Sequence, residues 1–321
     1  MNRAKVLRIL RWIAYPFVYL VTFAIGLSVF FPFDAVKQRQ VDLFNVQQRT
    51  GQRLSIERLD SYWVTGLRVQ KLKLSTPSVD SSKPPTELQI DEVTARLQIL
   101  HLFIGKRIVK FDAAVMGGTV TGSLELGSKE RVADIVAKGL ALGDVTPLTR
   151  AIGLPAEGTL GGVVHLQMPE GKASKANGTL KFELADMALG DGKTGLGLPK
   201  FTIGTLPIEA AVTDGVVKIA RFSVSGKDLD LQGEGKLTLA DNSLNDAKSD
   251  MSFRFRFSES YKGKNEQTKS LLQGPRSLLE MTQSPAKTPE GYFGQSMSGA
   301  LADPKFVPNN QLDAILGKGK K

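Results

Sequence analysis

The chain has 321 residues, no cysteine, 32 glycines and a formal charge of +10. That length holds one large β domain or two small ones, and the lack of thiols excludes disulfides, thiolate metal sites and cysteine nucleophiles. The charge does not indicate a nucleic-acid binder. Arg3, Lys5, Arg8 and Arg11 at the start and Lys318, Lys320 and Lys321 at the end supply seven of the ten excess charges, and no basic helical stripe lies between them.

Residues 1–11 form a short basic segment, and Trp12 to Phe33 follow as 22 residues without a charge. A hydrocarbon core is crossed by about 20 apolar residues. Trp12, Tyr15, Phe30, Phe31 and Phe33 stand near the ends of the run, where interfacial aromatics belong. A cleaved signal peptide has a shorter apolar core and a small-x-small site; here the run closes on bulky Val29-Phe30-Phe31-Pro32-Phe33. The reading is an uncleaved anchor helix over 12–33. Arg3, Lys5, Arg8 and Arg11 determine its topology, with the N-terminus cytoplasmic and the main domain on the far side.

A domain over 34–308 follows. Asp34 to Thr50 has helix-forming composition, an acidic start and Gly51 as its stop. Its apolar positions are few, so it lies along the domain rather than inside it. From Leu54 the period changes to two, the mark of strands with one buried face. Alternating runs include Val93–Ile99, Val109–Val115, Val164–Met168, Leu180–Leu184, Val217–Ile219, Phe222–Val224, Leu237–Leu239 and Met251–Phe257. In the last, Phe253, Phe255 and Phe257 share one side and Arg254 and Arg256 the other.

Two runs change phase midway. Leu67 and Val69 precede Leu72 and Leu74, and Leu88 and Ile90 precede Val93 and Ala95. Such a slip predicts a bulge that bends the sheet. Glycine recurs around residues 118, 158, 178 and 233, each time just before a strand, as hairpin turns in a meander would place it. Thr146–Leu154 reads as a short helix, as does a patch near Glu266–Thr282 broken by Pro275. Ser75–Thr86 and Gln283–Glu290 read as loops, and 309–321 as a loosely ordered basic tail.

Chemistry-bearing motifs are absent. His101 and His165 lie in β contexts without a His, Asp or Glu at metal-ligand spacing. No G-x-S-x-G or HExxH occurs. Gly190-Asp191-Gly192-Lys193-Thr194-Gly195 matches G-x-G-x-x-G, but Leu196-Gly197-Leu198-Pro199 cannot open the helix that a dinucleotide site needs, and a P-loop would need glycine where Met187 stands. No catalytic residue, cofactor or metal is expected, and the chain reads as non-enzymatic.

The order of these features resembles the N protein family of bacterial type II secretion systems (GspN) in its longer form. The resemblance lies in the anchor running into Phe31-Pro32-Phe33, in Leu88–Val93 followed by Leu97–Leu102, and in Phe111–Gly122. It continues in Gly291-Tyr292-Phe293-Gly294 and Ser298–Phe306. The same features resemble the broader AsmA-like group. That group implies a curled, half-open antiparallel sheet in the periplasm, held by one inner-membrane helix, with a few short helices. Two functions follow as expectations. One is an accessory or assembly component of the secretion apparatus, partnered by other secretion components. The other is lipid binding or transfer along an apolar inner face that contains Phe253, Phe255 and Phe257. About a dozen strands at 4.8 Å spacing reach only about 50–60 Å, which favours the first.

Overall fold

A computed structural model describes residues 30–47, 52–63, 65–76, 86–127, 129–144, 154–193, 198–241, 246–274, 277, 279–280, 286–301 and 304–309, with positions 12, 14, 15, 18, 19, 22, 23, 25 and 26. The fold is mainly β. Fourteen strands form one antiparallel sheet in which each pairs with its neighbour in sequence. They are β1 Arg53–Tyr62, β2 Gly66–Thr76, β3 Thr86–Leu97, β4 Ile108–Val115, β5 Gly118–Leu126, β6 Glu130–Ala141 and β7 Ala156–Pro169, then β8 Asn177–Leu189, β9 Phe201–Thr213, β10 Val216–Ser225, β11 Leu229–Thr238, β12 Lys248–Phe257, β13 Phe293–Ala300 and β14 Lys305–Pro308. The α-helices bounded among the described residues are α1 Phe33–Gln47, α2 Ile99–Leu102, α3 Glu259–Lys262 and α4 Glu266–Leu272. The sheet does not close, so β1 and β14 are its edges. By internal contacts the chain divides into two compact units, residues 1–104 with 109–113 and residues 105–108 with 114–321.

In the first unit, α1 fills most of the helix expected over 34–50. Phe33, Val36, Lys37, Val41, Phe44 and Asn45 make its half-buried stripe, at the spacing of one helical face. It lies along β1. Asn45 accepts the Leu54 backbone N–H at 2.7 Å and donates to the Leu54 carbonyl at 3.2 Å, while Lys37 donates to the Glu57 carbonyl at 3.1 Å. An open edge exposes such groups to any passing strand; here helix side chains occupy them.

The phase change in β2 and β3 is not the expected bulge. Ile56 pairs with Leu72 and Arg58 with Gln70; Leu72 pairs with Ile90 and Gln70 with Glu92. The register therefore passes through without offset. Glu57, Lys71 and Asp91 drop out of pairing in one row across three strands, and Lys71 takes φ 49°. Because all three strands kink at one level, their apolar side chains stay on one face. A Lys71–Glu57 ion pair at 3.1 Å sits on that row.

The second unit carries true register shifts, between Ala137 and Leu140 in β6, Leu184 and Met187 in β8, and Ile219 and Phe222 in β10. It also holds the packed core. One cluster contains Leu142, Met187, Leu189, Leu198, Phe201, Ile203, Leu206, Phe222, Val224, Leu229, Phe257, Tyr261 and Leu272. A smaller one joins Ala176, Ala210, Val212 and Val217.

The glycines behave in two ways. Gly118 opens β5 and Gly178 lies at the start of β8, near the positions expected for turns. Gly162 and Gly233 instead lie inside β7 and β11, paired with Phe182 and Phe222. A Cβ there would meet the Phe182 ring at 2.4 Å and the Phe222 ring at 2.5 Å. Each glycine leaves room for a cross-strand phenylalanine, the arrangement in which an aromatic covers a bare backbone.

Several expectations fall wholly or partly on residues outside those described, among them most of the loop over Ser75–Thr86 and parts of the helical patch over Glu266–Thr282 and the loop over Gln283–Glu290. The short helix over 146–154 and the tail over 309–321 are there almost entirely. Arg3, Lys5, Arg8 and Arg11 are there too. Within the expected anchor, positions 12, 14, 15, 18, 19, 22, 23, 25, 26 and 30 are helical. Among the described residues, no helix is long and apolar enough to cross a membrane.

Candidate apolar site on the sheet

Strand alternation puts Phe253, Phe255 and Phe257 on one face of β12, as the sequence predicts. Their cross-strand partners on β11 are Gly233, Leu231 and Leu229. The opposite face is polar. Arg256 donates to Asp230 at 2.8 Å and Arg254 to Gln232 at 3.0 Å, and both guanidinium groups stack on the Tyr292 ring, at 4.5 and 4.9 Å from its centroid. Burial pushes the Asp230 carboxyl upward, but hydrogen bonds from Ser225 and Arg256 and the Arg256 charge outweigh it and hold the group below the usual carboxylate range.

The three phenylalanines do not share one environment. Phe257 is only 7% exposed. It stacks on Tyr261 at 5.4 Å and meets Phe201 edge-on at 5.4 Å. Tyr261 comes from α3, whose Ser258 cap accepts the Tyr261 backbone N–H, and its hydroxyl donates to the Pro199 carbonyl at 2.5 Å. Burial, aided by the Asp228 charge, pushes that hydroxyl up to about 12, so it stays a neutral donor. α4 adds Leu272 to the same cluster, and its start is fixed by a reciprocal Asn265–Thr268 capping box. At this end the face is a filled core.

Along β12 the cover thins. Phe255 is half-buried, packed against the core and against Phe293. Phe253 meets Phe306 of β14 at 6.3 Å, and Phe306 is itself 43% exposed. Further along the second unit, Val120, Leu124 and Ile135 of β5 and β6 are half-buried and join neither core cluster.

The first unit is barer still. Its paired apolar rows run Leu54–Leu74–Leu88, Ile56–Leu72–Ile90 and Leu59–Val69–Val93. Of these nine side chains only Leu59 is buried, and none belongs to either core cluster. Among the described residues only α1 packs against this sheet, along β1, and aliphatic rows left partly open stay in contact with whatever surrounds them. Sequence periodicity identified these rows as one-sided but could not tell which of them another layer covers.

The other sequence motifs do not assemble a site. His165 meets Asp134 at 2.5 Å across β6 and β7 on the exposed polar face. His101 lies on α2, and no hydrogen-bond partner for its Nδ1 is found among the described residues. In the glycine-rich segment after β8, amides that would face a phosphate are taken internally. Lys193 N–H goes to Asp191 at 2.8 Å, Gly192 N–H to Leu198 and Gly190 N–H to Pro155. Among the described residues, no group of three or more His, Cys, Asp or Glu could hold a metal ion. Comparison of the chain with protein-family models, with curated proteins and with solved structures finds no match.

Proposed function

We propose that the chain is a non-enzymatic protein, held in a bacterial inner membrane by its N-terminal apolar segment, whose periplasmic sheet takes acyl chains of lipids against its uncovered apolar rows. The observation that carries this reading is the first unit's face: three cross-strand rows of aliphatic side chains, eight of the nine only half-buried, with no core cluster of their own among the described residues. A soluble sheet domain would bury such rows under helices or a second sheet. The anchor is supported by the described positions of the apolar segment. Trp12, Tyr15, Tyr19 and Phe30 are 77%, 73%, 74% and 85% exposed, an arrangement that suits hydrocarbon better than water. The AsmA-like resemblance implies the same lipid role.

In-cell photocrosslinking with lipid and protein mass spectrometry tests it, with crosslinkers placed in turn at Leu72, Ile135 and Phe257. Acyl lipid should attach at Leu72 and Ile135 and be missing at Phe257, which Tyr261 and Phe201 enclose. Crosslinks confined to the protein at all three positions would overturn the lipid reading.

A second reading, an accessory component of a type II secretion system, is favoured by the sheet's other edge. All four residues of β14 are exposed, whereas α1 occupies edge groups of β1. An exposed edge accepts a strand from a partner. A crosslinker at Val307 that captures a secretion component, with lipid absent at Leu72, would put this reading first.

A further inference from the structure

We propose that two apolar hairpin tips of the first unit form a second membrane contact, dipping into the bilayer interface beside the anchor; this rests on the membrane reading above. The tips are the β1–β2 turn at Trp63 and the β3–β4 connection through α2. Trp63 is 72% exposed, Leu100 81%, Phe103 83% and Ile104 69%, with Ile99 and Leu102 at 45% and 40%. Connections normally carry polar residues to water. Here residues 63–67 and 97–105 hold no Asp, Glu, Lys or Arg.

The two tips are tied together. Leu97 N–H donates to the Thr65 carbonyl at 3.1 Å, and the Thr65 hydroxyl donates to the Leu97 carbonyl at 3.0 Å. Trp63 is presented at φ 54°, a conformation few bulky residues adopt, and its carbonyl accepts from Ser61 at 2.8 Å. The result is one apolar prominence, topped by an indole, the side chain that prefers the headgroup level.

What faces this prominence follows from the path of the chain. α1 runs antiparallel to β1, since Asn45 meets Leu54 and Lys37 meets Glu57. Phe31, Pro32, Phe33, Asp34 and Ala35 line a cleft with Arg58, Leu59 and Asp60. The start of α1 therefore lies at the end of β1 that runs into Trp63. The uncharged segment Trp12–Phe33 enters the unit at that end. If that segment is in a bilayer, the prominence meets the bilayer's surface. An amphipathic surface of this kind binds by burying its apolar side chains to the depth of the headgroup boundary. Two attachments instead of one would fix the orientation of the unit at the membrane.

The chain has two tryptophans, Trp12 in the anchor and Trp63 at the tip, so each can be read alone. Full-length Trp12→Phe and Trp63→Phe proteins are reconstituted into phosphatidylethanolamine–phosphatidylglycerol vesicles doped with lipid brominated near the headgroup. Trp63 fluorescence should fall about twofold, and Phe103→Ser with Ile104→Ser should largely restore it, as expected for interfacial burial. Trp12 quenched with Trp63 unquenched would overturn the tip and leave the anchor standing. Neither quenched would overturn both. A blue-shifted Trp63 insensitive to bromine would mean that a protein surface covers the tip, which also overturns the proposal.

Discussion

Gly233 and Phe222 exchange volume across two strands: the ring occupies the place of a missing Cβ, 2.5 Å from where one would stand, and the ring is buried in the main core. Gly233→Ala would have to displace it, which costs about 1–3 kcal/mol in a packed core. Urea denaturation should show that loss, and Phe222→Leu in the same chain should recover part of it, because the two sites couple. Nothing in the sequence marks this pair, since a glycine before alternating residues reads equally as a turn. The alternation itself was legible, and Phe253-Arg254-Phe255-Arg256-Phe257 sorted its faces correctly. The arginine face yields a second prediction. Asp230 has a folded pKa below its ordinary value of 3.8, so its contribution is fully present above that value and is lost as pH falls through the lower folded one. Asp230→Asn should cost about 1 kcal/mol at neutral pH, discounted because Arg256 is 41% exposed. The stability of the variant should also fall less steeply into acid, measured as the denaturation midpoint across the pH series.

At the scale of elements, two short helices decide what the sheet can do. α1 was readable from its acidic start and sparse apolar positions, but its role was not. Asn45 gives no signal in sequence of the paired bonds it makes to Leu54. Asn45→Ala leaves an edge N–H and C=O without those partners, at a cost of about 1–2 kcal/mol. Hydrogen exchange at Leu54 should quicken while the amides of β11 and β12 stay protected; unchanged exchange at Leu54 would mean that α1 is held by its apolar stripe alone. α3 is the harder case. The sequence placed a helical patch after residue 266 and missed the single turn before it, four residues long, which delivers Tyr261 onto Phe257. A turn that short carries no periodicity to detect. Tyr261→Phe should lower stability by about 1 kcal/mol, by removing the hydrogen bond to the part-buried Pro199 carbonyl.

For the whole molecule the decisive asymmetry is where burial is found. Both core clusters lie in the unit of residues 105–108 and 114–321. In the other unit, the aliphatic rows are half-buried except for Leu59, and its described residues form no core cluster. Local opening free energy follows buried apolar contact. In detergent-free solution or a lipid-poor nanodisc, amides of β1–β3 should therefore exchange faster than those of β8–β12 in the full-length protein. Excess phospholipid should then slow exchange in β1–β3 selectively, because a ligand that binds the folded rows stabilises them by mass action. The magnitude sets the affinity: protection rising tenfold corresponds to about 1.4 kcal/mol of linkage. Equal exchange in the two units, or lipid-induced protection spread evenly over β1–β12, would remove the physical basis for placing acyl chains on the first unit. Protection confined to the tips at Trp63 and α2, with β1–β3 unchanged, would keep the membrane contact and return the rows to a scaffold's unoccupied face.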